Sequence, residues 1–124
     1  MKLRFRANSL RLRVNQKEVE KLAAGHALRE KIDFPGNSSL SYVLESDAAA
    51  HPQAFFANDS IQIAAPAALL AGWADSDEIG LYFTLATNGQ PLKIAIEKDL
   101  ECIDGPVEEH DPNAFPRALA EKVC

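Results

Sequence analysis

The sequence predicts an α+β fold made mainly of antiparallel strands, with two short helices. Three observations predict it: apolar and polar residues alternate over most of the 124-residue chain, two short segments have helical apolar spacing, and the order strand, strand, helix, strand, strand occurs twice. The two repeats span residues 2–47 and 52–99. Because one repeat alone cannot bury its apolar face, we expect the two to pack about a pseudo-twofold axis, as a partly closed barrel or a two-layer sheet.

The internal repeat is visible as shared apolar spacing rather than as identity. Ser9-Leu10-Arg11-Leu12 recurs 51 residues later as Ser60-Ile61-Gln62-Ile63. Further aligned pairs are Phe5 with Phe55, Ile32 with Phe83, and Leu40 with Leu92. The offset between the copies changes only in predicted turns, as expected for a duplicated unit whose strands keep their phase.

The first repeat begins with two alternating segments, residues 2–6 and 9–14, which predict a hairpin around a short turn. Asn15 and Glu18 have capping-box spacing, so we expect a helix over about residues 16–24, with Gly25 as its stop. The second hairpin is predicted from apolar alternation on either side of the turn Pro35-Gly36-Asn37-Ser38, at Leu28, Ile32, Phe34, Leu40, Tyr42 and Leu44.

The second repeat has the same elements in the same order. Residues 53–57 and 60–64 are expected to form its first hairpin, and Pro66 suits the start of a helix that includes Trp73. Asn88-Gly89 is a strong hairpin signal between the last two strands. The prediction is therefore about eight strands and two short helices.

The character of the chain changes near residue 104. Residues 105–124 are acidic, rich in proline, and have no counterpart in the repeat. We predict a single domain over residues 1–104, followed by a C-terminal tail at 105–124. Phe115, an aromatic residue in acidic surroundings, is typical of a short docking segment and is a candidate partner contact.

Composition indicates an ordinary globular protein, with 47% hydrophobic and 25% charged residues. The longest uncharged stretch, residues 60–74, is shorter than the about 20 apolar residues of a membrane span, so no membrane association is expected. The chain has only two cysteines, Cys102 and Cys124, too few for a disulfide framework. Together with the lack of an export signal, this predicts a cytoplasmic protein.

Three stretches of sequence resemble a family of small bacterial proteins that is classed only as a domain of unknown function. They are Lys2-x-Arg4-x-Arg6-x-Asn8-Ser9-Leu10-Arg11-Leu12-Arg13-x-Asn15-Gln16-x-Glu18-Val19, Lys98-Asp99-Leu100-Glu101-Cys102, and Asp111-x-x-Ala114-Phe115-Pro116. The resemblance covers nearly the whole chain. It implies a free-standing bacterial protein, but no activity, cofactor or catalytic residue.

The sharpest functional candidate is a basic surface. The first 31 residues contain nine Lys or Arg and only three Glu, although the whole chain has a net charge of -5. Strand alternation puts Arg4, Arg6, Arg11 and Arg13 on one face of the first hairpin, where they are candidates for gripping phosphate or carboxylate groups. The second repeat lacks these arginines, so the fold does not require them.

Three interpretations of the arginine face remain open: a solvated face neutralised by neighbouring acids, a protein contact, or a site for nucleic acid or another polyanion. Glu45, Glu97 and Glu101 lie on predicted strands that are candidates for flanking the hairpin. No aromatic platform of the kind used by single-strand binders is found among the arginines.

Two adjacent aromatic residues suggest a further contact surface. Phe55 and Phe56 point to opposite faces of a strand, so one of them is exposed unless another layer or chain covers it. A homodimer interface is one interpretation, and burial on both faces is the other.

Catalytic and metal chemistry have weak support in the sequence. A metal site is conceivable only from Cys102, Glu108, Glu109, His110 and Asp111, which lack the usual ligand spacing, so no metal and no cofactor are predicted. No nucleophile motif or glycine-rich phosphate loop occurs. The leading interpretation is a non-catalytic protein-interaction module, with polyanion binding as the alternative and a small enzyme of unknown reaction third.

Overall fold

The structure is a computed structural model that describes residues 1–100 and 111–116. Within these residues, eight strands and two helices follow one another in the predicted order, so the predicted α+β class is confirmed. The strands are β1 (Lys2–Arg6), β2 (Ser9–Val14), β3 (Leu28–Phe34), β4 (Ser38–Asp47), β5 (Gln53–Ala57), β6 (Ser60–Pro66), β7 (Gly80–Leu85) and β8 (Leu92–Lys98), and the helices are α1 (Gln16–Ala23) and α2 (Ala67–Ala74).

The strands form two four-stranded sheets, and each sheet combines one hairpin from each repeat. Sheet A has the order β1-β2-β8-β7, and sheet B has the order β3-β4-β6-β5. Every hairpin is antiparallel, but the two hairpins of a sheet meet through a parallel pair, β2 with β8 and β4 with β6. The sheets are therefore mixed rather than antiparallel, and the two-layer alternative describes the fold rather than the barrel.

The first hairpins of the two repeats have turns of the same length, which corrects the sequence alignment there. Both turns have two residues, and Phe5 pairs with Leu10 as Phe56 pairs with Ile61. The counterpart of Phe5 is therefore Phe56, and not Phe55 as the sequence alignment has it. The sequence alignment is wrong here because it matches Ala7-Asn8 with Ala57-Asn58. Ala7 and Asn8 form the first turn, whereas Ala57 ends β5 and Asn58 begins the second turn.

The second hairpins slip by two residues relative to the sequence alignment. Ile94 and Tyr42 are counterparts, because each lies beside the matching residue of its parallel neighbour strand. Ile94 pairs with Phe83, whereas Tyr42 pairs with Glu30. Phe83 therefore corresponds to Glu30 rather than to Ile32, and Ile32 lies nearer the open end of sheet B, where it is 45% exposed.

Both ends of α1 are closed by the residues that the sequence indicates. The Asn15 side chain accepts a hydrogen bond from the Glu18 N–H at 3.0 Å, and the Glu18 carboxylate accepts one from the Asn15 N–H at 2.9 Å, which confirms the capping box. At the other end Gly25 has a φ of 89°, and the His26 N–H donates to the Lys21 carbonyl. This is a Schellman ending, which the absence of a Cβ at Gly25 makes favourable.

One hydrophobic core is shared by both sheets and both helices. Its largest fully buried side chains are Trp73, Leu12, Leu22, Leu44, Ile63, Leu70, Ile94, Ile96 and Val14. The Trp73 indole N–H donates to the Ile79 carbonyl at 3.1 Å, so the polar atom of this buried ring is satisfied. The core lies between the inner faces, which leaves the outer face of each sheet available for contact.

Part of the predicted tail packs on the domain. The Phe115 N–H donates to the Asp99 carbonyl at 2.7 Å, and the Gln16 N–H donates to the Asn113 carbonyl at 2.9 Å. Phe115 also lies against the hydrophobic core. Residues 111–116 are thus docked, whereas most of the rest of the predicted tail lies outside the described residues.

None of the helices in the described part of the chain is long and apolar enough to cross a membrane.

Candidate anion-binding site

The outer face of sheet A is strongly basic. Its residues stand in three rows across the strands in the order β1, β2, β8, β7: Lys2, Arg13, Glu97 and Gly80; Arg4, Arg11, Ala95 and Tyr82; and Arg6, Ser9, Lys93 and Thr84. We call these twelve residues the basic face. It has six cations and one carboxylate. It includes all four arginines that were predicted from the sequence to share one face.

One carboxylate, that of Glu97, is shared by three of its neighbours. Its Oε1 atom lies 3.0 Å from Arg11 Nε and 3.7 Å from Arg13 Nε, and its Oε2 atom accepts a hydrogen bond from the Tyr82 hydroxyl at 2.8 Å. Two of the four predicted arginines are therefore neutralised in part, as one interpretation of the sequence expects. A single negative charge leaves a net positive charge on this pair.

Of the other four cations of the basic face, Lys2 pairs with the Asp99 carboxylate at 2.9 Å, and the remaining three are more open. Arg4, Arg6 and Lys93 are exposed, and within residues 1–100 and 111–116 none of them forms an ion pair with a carboxylate. They surround a groove of about 370 Å³ in which the small residues Ser9 and Ala95 lie between the long side chains. The groove is open to solvent, with Arg4 and Arg6 of β1 on one side and Lys93 of β8 nearer its middle.

The opposite side of this groove is formed by Tyr82, which is 63% exposed. Burial and, after it, the hydrogen bond to Glu97 raise the pKa of the Tyr82 hydroxyl, while the charge of Arg11 lowers it. The hydroxyl therefore stays protonated and keeps donating to Glu97. Gly80 makes room for this pair, because a Cβ at residue 80 would lie 2.7 Å from the Tyr82 oxygen.

The residues on β7 and β8 are the part of the site that the sequence did not predict. Lys93 and Tyr82 belong to the second repeat, and they reach the arginines because β2 pairs with β8 in parallel. Tyr82 supplies the exposed aromatic ring that the sequence analysis found missing. The alternation of Tyr82 and Thr84 with apolar residues is a signal that these side chains face outward, but it does not indicate which hairpin lies beside them.

The outer face of sheet B is the structural counterpart of the basic face and differs from it in charge. The position of Arg4 is taken by Phe55, that of Arg11 by Gln62, and that of Tyr82 by Arg29, as the pairing registers show. Its cations are Arg29 and Lys31, and its carboxylates are Asp33, Glu45 and Asp47. The concentration of positive charge is therefore specific to sheet A.

The predicted docking residue, Phe115, lies apart from the basic face. Its ring centroid is 5.5 Å from the Nζ atom of Lys98, which is also 5.7 Å from the Trp73 ring and donates to the Ser76 carbonyl at 2.6 Å. Lys98 is 7% exposed, so the two rings enclose a buried cation. Docking of Phe115 to a partner protein would require this packing to break.

Metal-ligating side chains do not cluster in the described residues: no group of three or more His, Cys, Asp or Glu has the geometry to hold an ion there. Of the five residues considered for a metal site, Asp111 is described, and its carboxylate accepts hydrogen bonds from Asn15 and from the Asn113 N–H. Cys102, Glu108, Glu109 and His110 lie outside the described residues.

Fold and site together define a small α+β protein in which two repeats exchange hairpins and one sheet presents a basic groove. The chain belongs to a family of unknown function, DUF7009, whose model matches residues 1–119. This confirms the resemblance drawn from the sequence. No curated protein and no solved structure matches the chain.

Proposed function

We propose that this is a non-catalytic binding protein whose ligand is a phosphate-bearing nucleotide unit, either free or within a single strand, held in the groove of the basic face. One observation supports this most directly: Arg4 and Arg6 on β1 lie across one groove from the exposed ring of Tyr82 on β7, with Lys93 on β8 between them, and all three cations are unpaired among the described residues. Phosphates would bind on the cationic side and a base would stack on Tyr82.

The residue types suit the two halves of such a ligand. Guanidinium groups present planar, paired donors that match phosphate oxygens, and they stay charged at any physiological pH. Stacking of a base on an aromatic side chain contributes roughly 1–3 kcal/mol and does not depend on the base sequence. A volume of about 370 Å³ is at the lower end of the range for small-molecule sites.

The charge distribution of the protein also favours a ligand that binds to the basic face alone rather than to the whole surface. The whole protein has a net charge of -5, so it repels polyanions at long range. The basic face reverses this only nearby, because screening limits charge interactions to about 10 Å at moderate salt. Phosphate contacts at the basic face release counterions, so binding should weaken as salt rises.

A protein partner, the leading interpretation from the sequence, is the second candidate for this face, and an acidic segment is the kind of partner that its charge fits. It would use the same cations, but it would gain nothing from a stacking surface. We favour a nucleotide over an acidic protein segment as the ligand because the Tyr82 ring is exposed at the groove. The cytoplasmic location stays a prediction, based on cysteine usage.

The test compares two double variants that each remove two positive charges. Arg6→Ser with Lys93→Ser changes the basic face, and Arg29→Ser with Lys31→Ser changes the outer face of sheet B. Fluorescence anisotropy with a labelled single-stranded oligonucleotide, a labelled mononucleotide and a labelled poly-glutamate peptide measures affinity across a salt series. We expect the first double variant to bind the oligonucleotide more weakly and with a salt slope smaller by about 1.4, since each lost phosphate contact accounts for about 0.7. The second double variant should bind like the wild type.

The three ligands separate the possible outcomes. Tight mononucleotide binding identifies a free nucleotide as the ligand, and binding that needs several linked nucleotides identifies a strand. Equal effects of the two double variants would contradict the site, and stronger binding of poly-glutamate than of either nucleotide would favour the acidic protein partner instead.

A further inference from the structure

Among residues 1–100 and 111–116, strand β5 has a neighbour on one side only and is an exposed edge without charge. It lies at the end of sheet B and its sequence, Gln-Ala-Phe-Phe-Ala, contains no charged residue. Phe55 is 58% exposed on one face and Phe56 is 69% exposed on the other. An exposed apolar edge with free main-chain groups is a template for pairing with another strand.

The counterpart edge in sheet A, β1, is protected by charge, and β5 differs from it in this respect; the edge strand β7 is also uncharged, but it does not carry two adjacent exposed phenylalanines. β1 occupies the equivalent place and has the sequence Lys-Leu-Arg-Phe-Arg. Its three cations are the kind of edge charge that prevents strands from pairing edge to edge. Because both edges belong to the same duplicated hairpin, the fold itself does not require β5 to be uncharged and aromatic.

The register of β5 shows which main-chain groups are free. Ala57 and Ser60 close a two-residue turn in which both central residues have positive φ, and such a closing pair is hydrogen-bonded. Hydrogen-bonded and non-hydrogen-bonded pairs alternate along an antiparallel hairpin. Phe56 and Ala54 are therefore in non-hydrogen-bonded pairs, and their N–H and C=O groups point away from β6 toward the open edge.

We propose that a second copy of this chain covers the edge, with two β5 strands pairing antiparallel about a twofold axis at Phe55. In this register Ala54 of each copy is hydrogen-bonded to Phe56 of the other. The free N–H and C=O groups of both residues are therefore paired in both copies. The two Phe55 rings lie opposite each other on the outer face as a non-hydrogen-bonded pair, where side chains approach most closely. Two sheets B become one sheet of eight strands.

The absence of charge points to a second copy as the occupant. A twofold axis places each residue of the strand near its own copy, so any charge on β5 would be brought close to a like charge. β1 would suffer this, because Arg4 would meet Arg4 of the second copy. β5 has no such conflict, and its self-pairing joins aromatic rings instead. The pairing is independent of the proposed nucleotide site, which lies on sheet A.

The test is the molar mass in solution by sedimentation velocity or light scattering, over a range of concentrations. We expect the wild type to approach 27 kDa, twice the 13.5 kDa of one chain. Phe55→Arg gives β5 the residue type that β1 has at the equivalent position, and should leave a 13.5 kDa monomer. This side chain is largely exposed, so circular dichroism should show an unchanged fold.

Two further variants test the main-chain pairing directly. Phe56→Pro removes an N–H that points to the open edge and is not needed by β6, so it should also give a monomer. Phe5→Pro makes the same change at the equivalent position of β1 and should leave the dimer intact. A monomeric wild type, an assembly larger than a dimer, or a dimer that survives both Phe55→Arg and Phe56→Pro would overturn the proposal.

Discussion

At the scale of single residues, Glu97 determines how much of the basic face is free. Its carboxylate contacts Arg11 and Arg13 and also accepts a hydrogen bond from the Tyr82 hydroxyl. It therefore both lowers the positive potential of the face and orients the tyrosine ring. Partly exposed ion pairs of this kind contribute little to stability, so the arrangement is better explained by its effect on the surface.

Replacing this carboxylate should strengthen anion binding. Glu97→Gln keeps an acceptor for the Tyr82 hydroxyl but removes the charge that competes for Arg11, so one further phosphate contact becomes available. We expect tighter oligonucleotide binding and a salt slope steeper by about 0.7. Anisotropy titrations across a salt series measure both.

The matched control is Glu45→Gln, because Glu45 holds the same place in β4 that Glu97 holds in β8. This variant removes the same charge from the other sheet and should change the salt slope little. Weaker binding in Glu97→Gln, or equal gains in both variants, would argue against a ligand at the basic face.

At the scale of elements, the start of α1 and the segment 111–116 stabilise each other. Asn15 caps the helix with its side-chain oxygen and donates from its side-chain nitrogen to the Asp111 carboxylate at 2.9 Å. This hydrogen bond, followed by the one from the Asn113 N–H, lowers the pKa of Asp111. The charged carboxylate is thus favoured in the folded protein relative to the unfolded chain.

This coupling predicts a pH dependence of stability. A carboxyl group with a lowered pKa stabilises the fold at pH values above its unfolded pKa, and the contribution is lost as pH falls through the folded value. We expect Asp111→Asn to melt below the wild type at neutral pH, with the difference closing below about pH 4, where the carboxyl group protonates in the unfolded chain. Thermal melts followed by circular dichroism over this range measure it.

Asp33→Asn provides the comparison, since Asp33 is exposed and contacts only Lys31 at the surface, 3.2 Å away, among the described ion pairs. It should shift the melting temperature little at any pH. A gap between wild type and Asp111→Asn that stays constant into acid would show that the carboxylate does not provide the stabilisation.

Elements whose signals are local were predictable from the sequence, and the pairing between them was not. The capping box at Asn15 and the stop at Gly25 depend on residues a few positions apart, and both are found as expected. The exchange of hairpins between repeats depends on contacts between distant strands such as β2 and β8. Alternation gives each strand an inner and an outer face, but it does not say which strand lies beside it.

The residues of the candidate site also divide into those that local sequence predicted and those that depend on pairing between distant strands. The four arginines were predicted to share one face because they lie on one hairpin, and they do. Lys93 and Tyr82 were missed because they join the face through the parallel pair. Phe115 was predicted to be a partner contact, which stays a prediction; its ring lies over Lys98, a buried cation that no local pattern indicates.

At the scale of the whole molecule, the two repeats give two sheets with equivalent strand orders and different surfaces. Sheet A has a basic outer face and a charged edge at β1, whereas sheet B has an uncharged edge at β5. Equivalent positions in one sheet therefore provide matched control variants for the other sheet. We propose ligand binding for sheet A and self-association for sheet B, so variants of one sheet should leave the property of the other sheet unchanged.

The central claim, that the basic face is the ligand site, is tested most directly by titrating isotopically labelled protein with a single-stranded oligonucleotide and following the backbone amide signals by NMR. We expect the signals of Arg4, Arg6, Arg11, Tyr82 and Lys93 to shift together and saturably, and those of Arg29 and Lys31 in sheet B to stay in place. Shifts confined to sheet B, or no saturable shift at low salt, would contradict it.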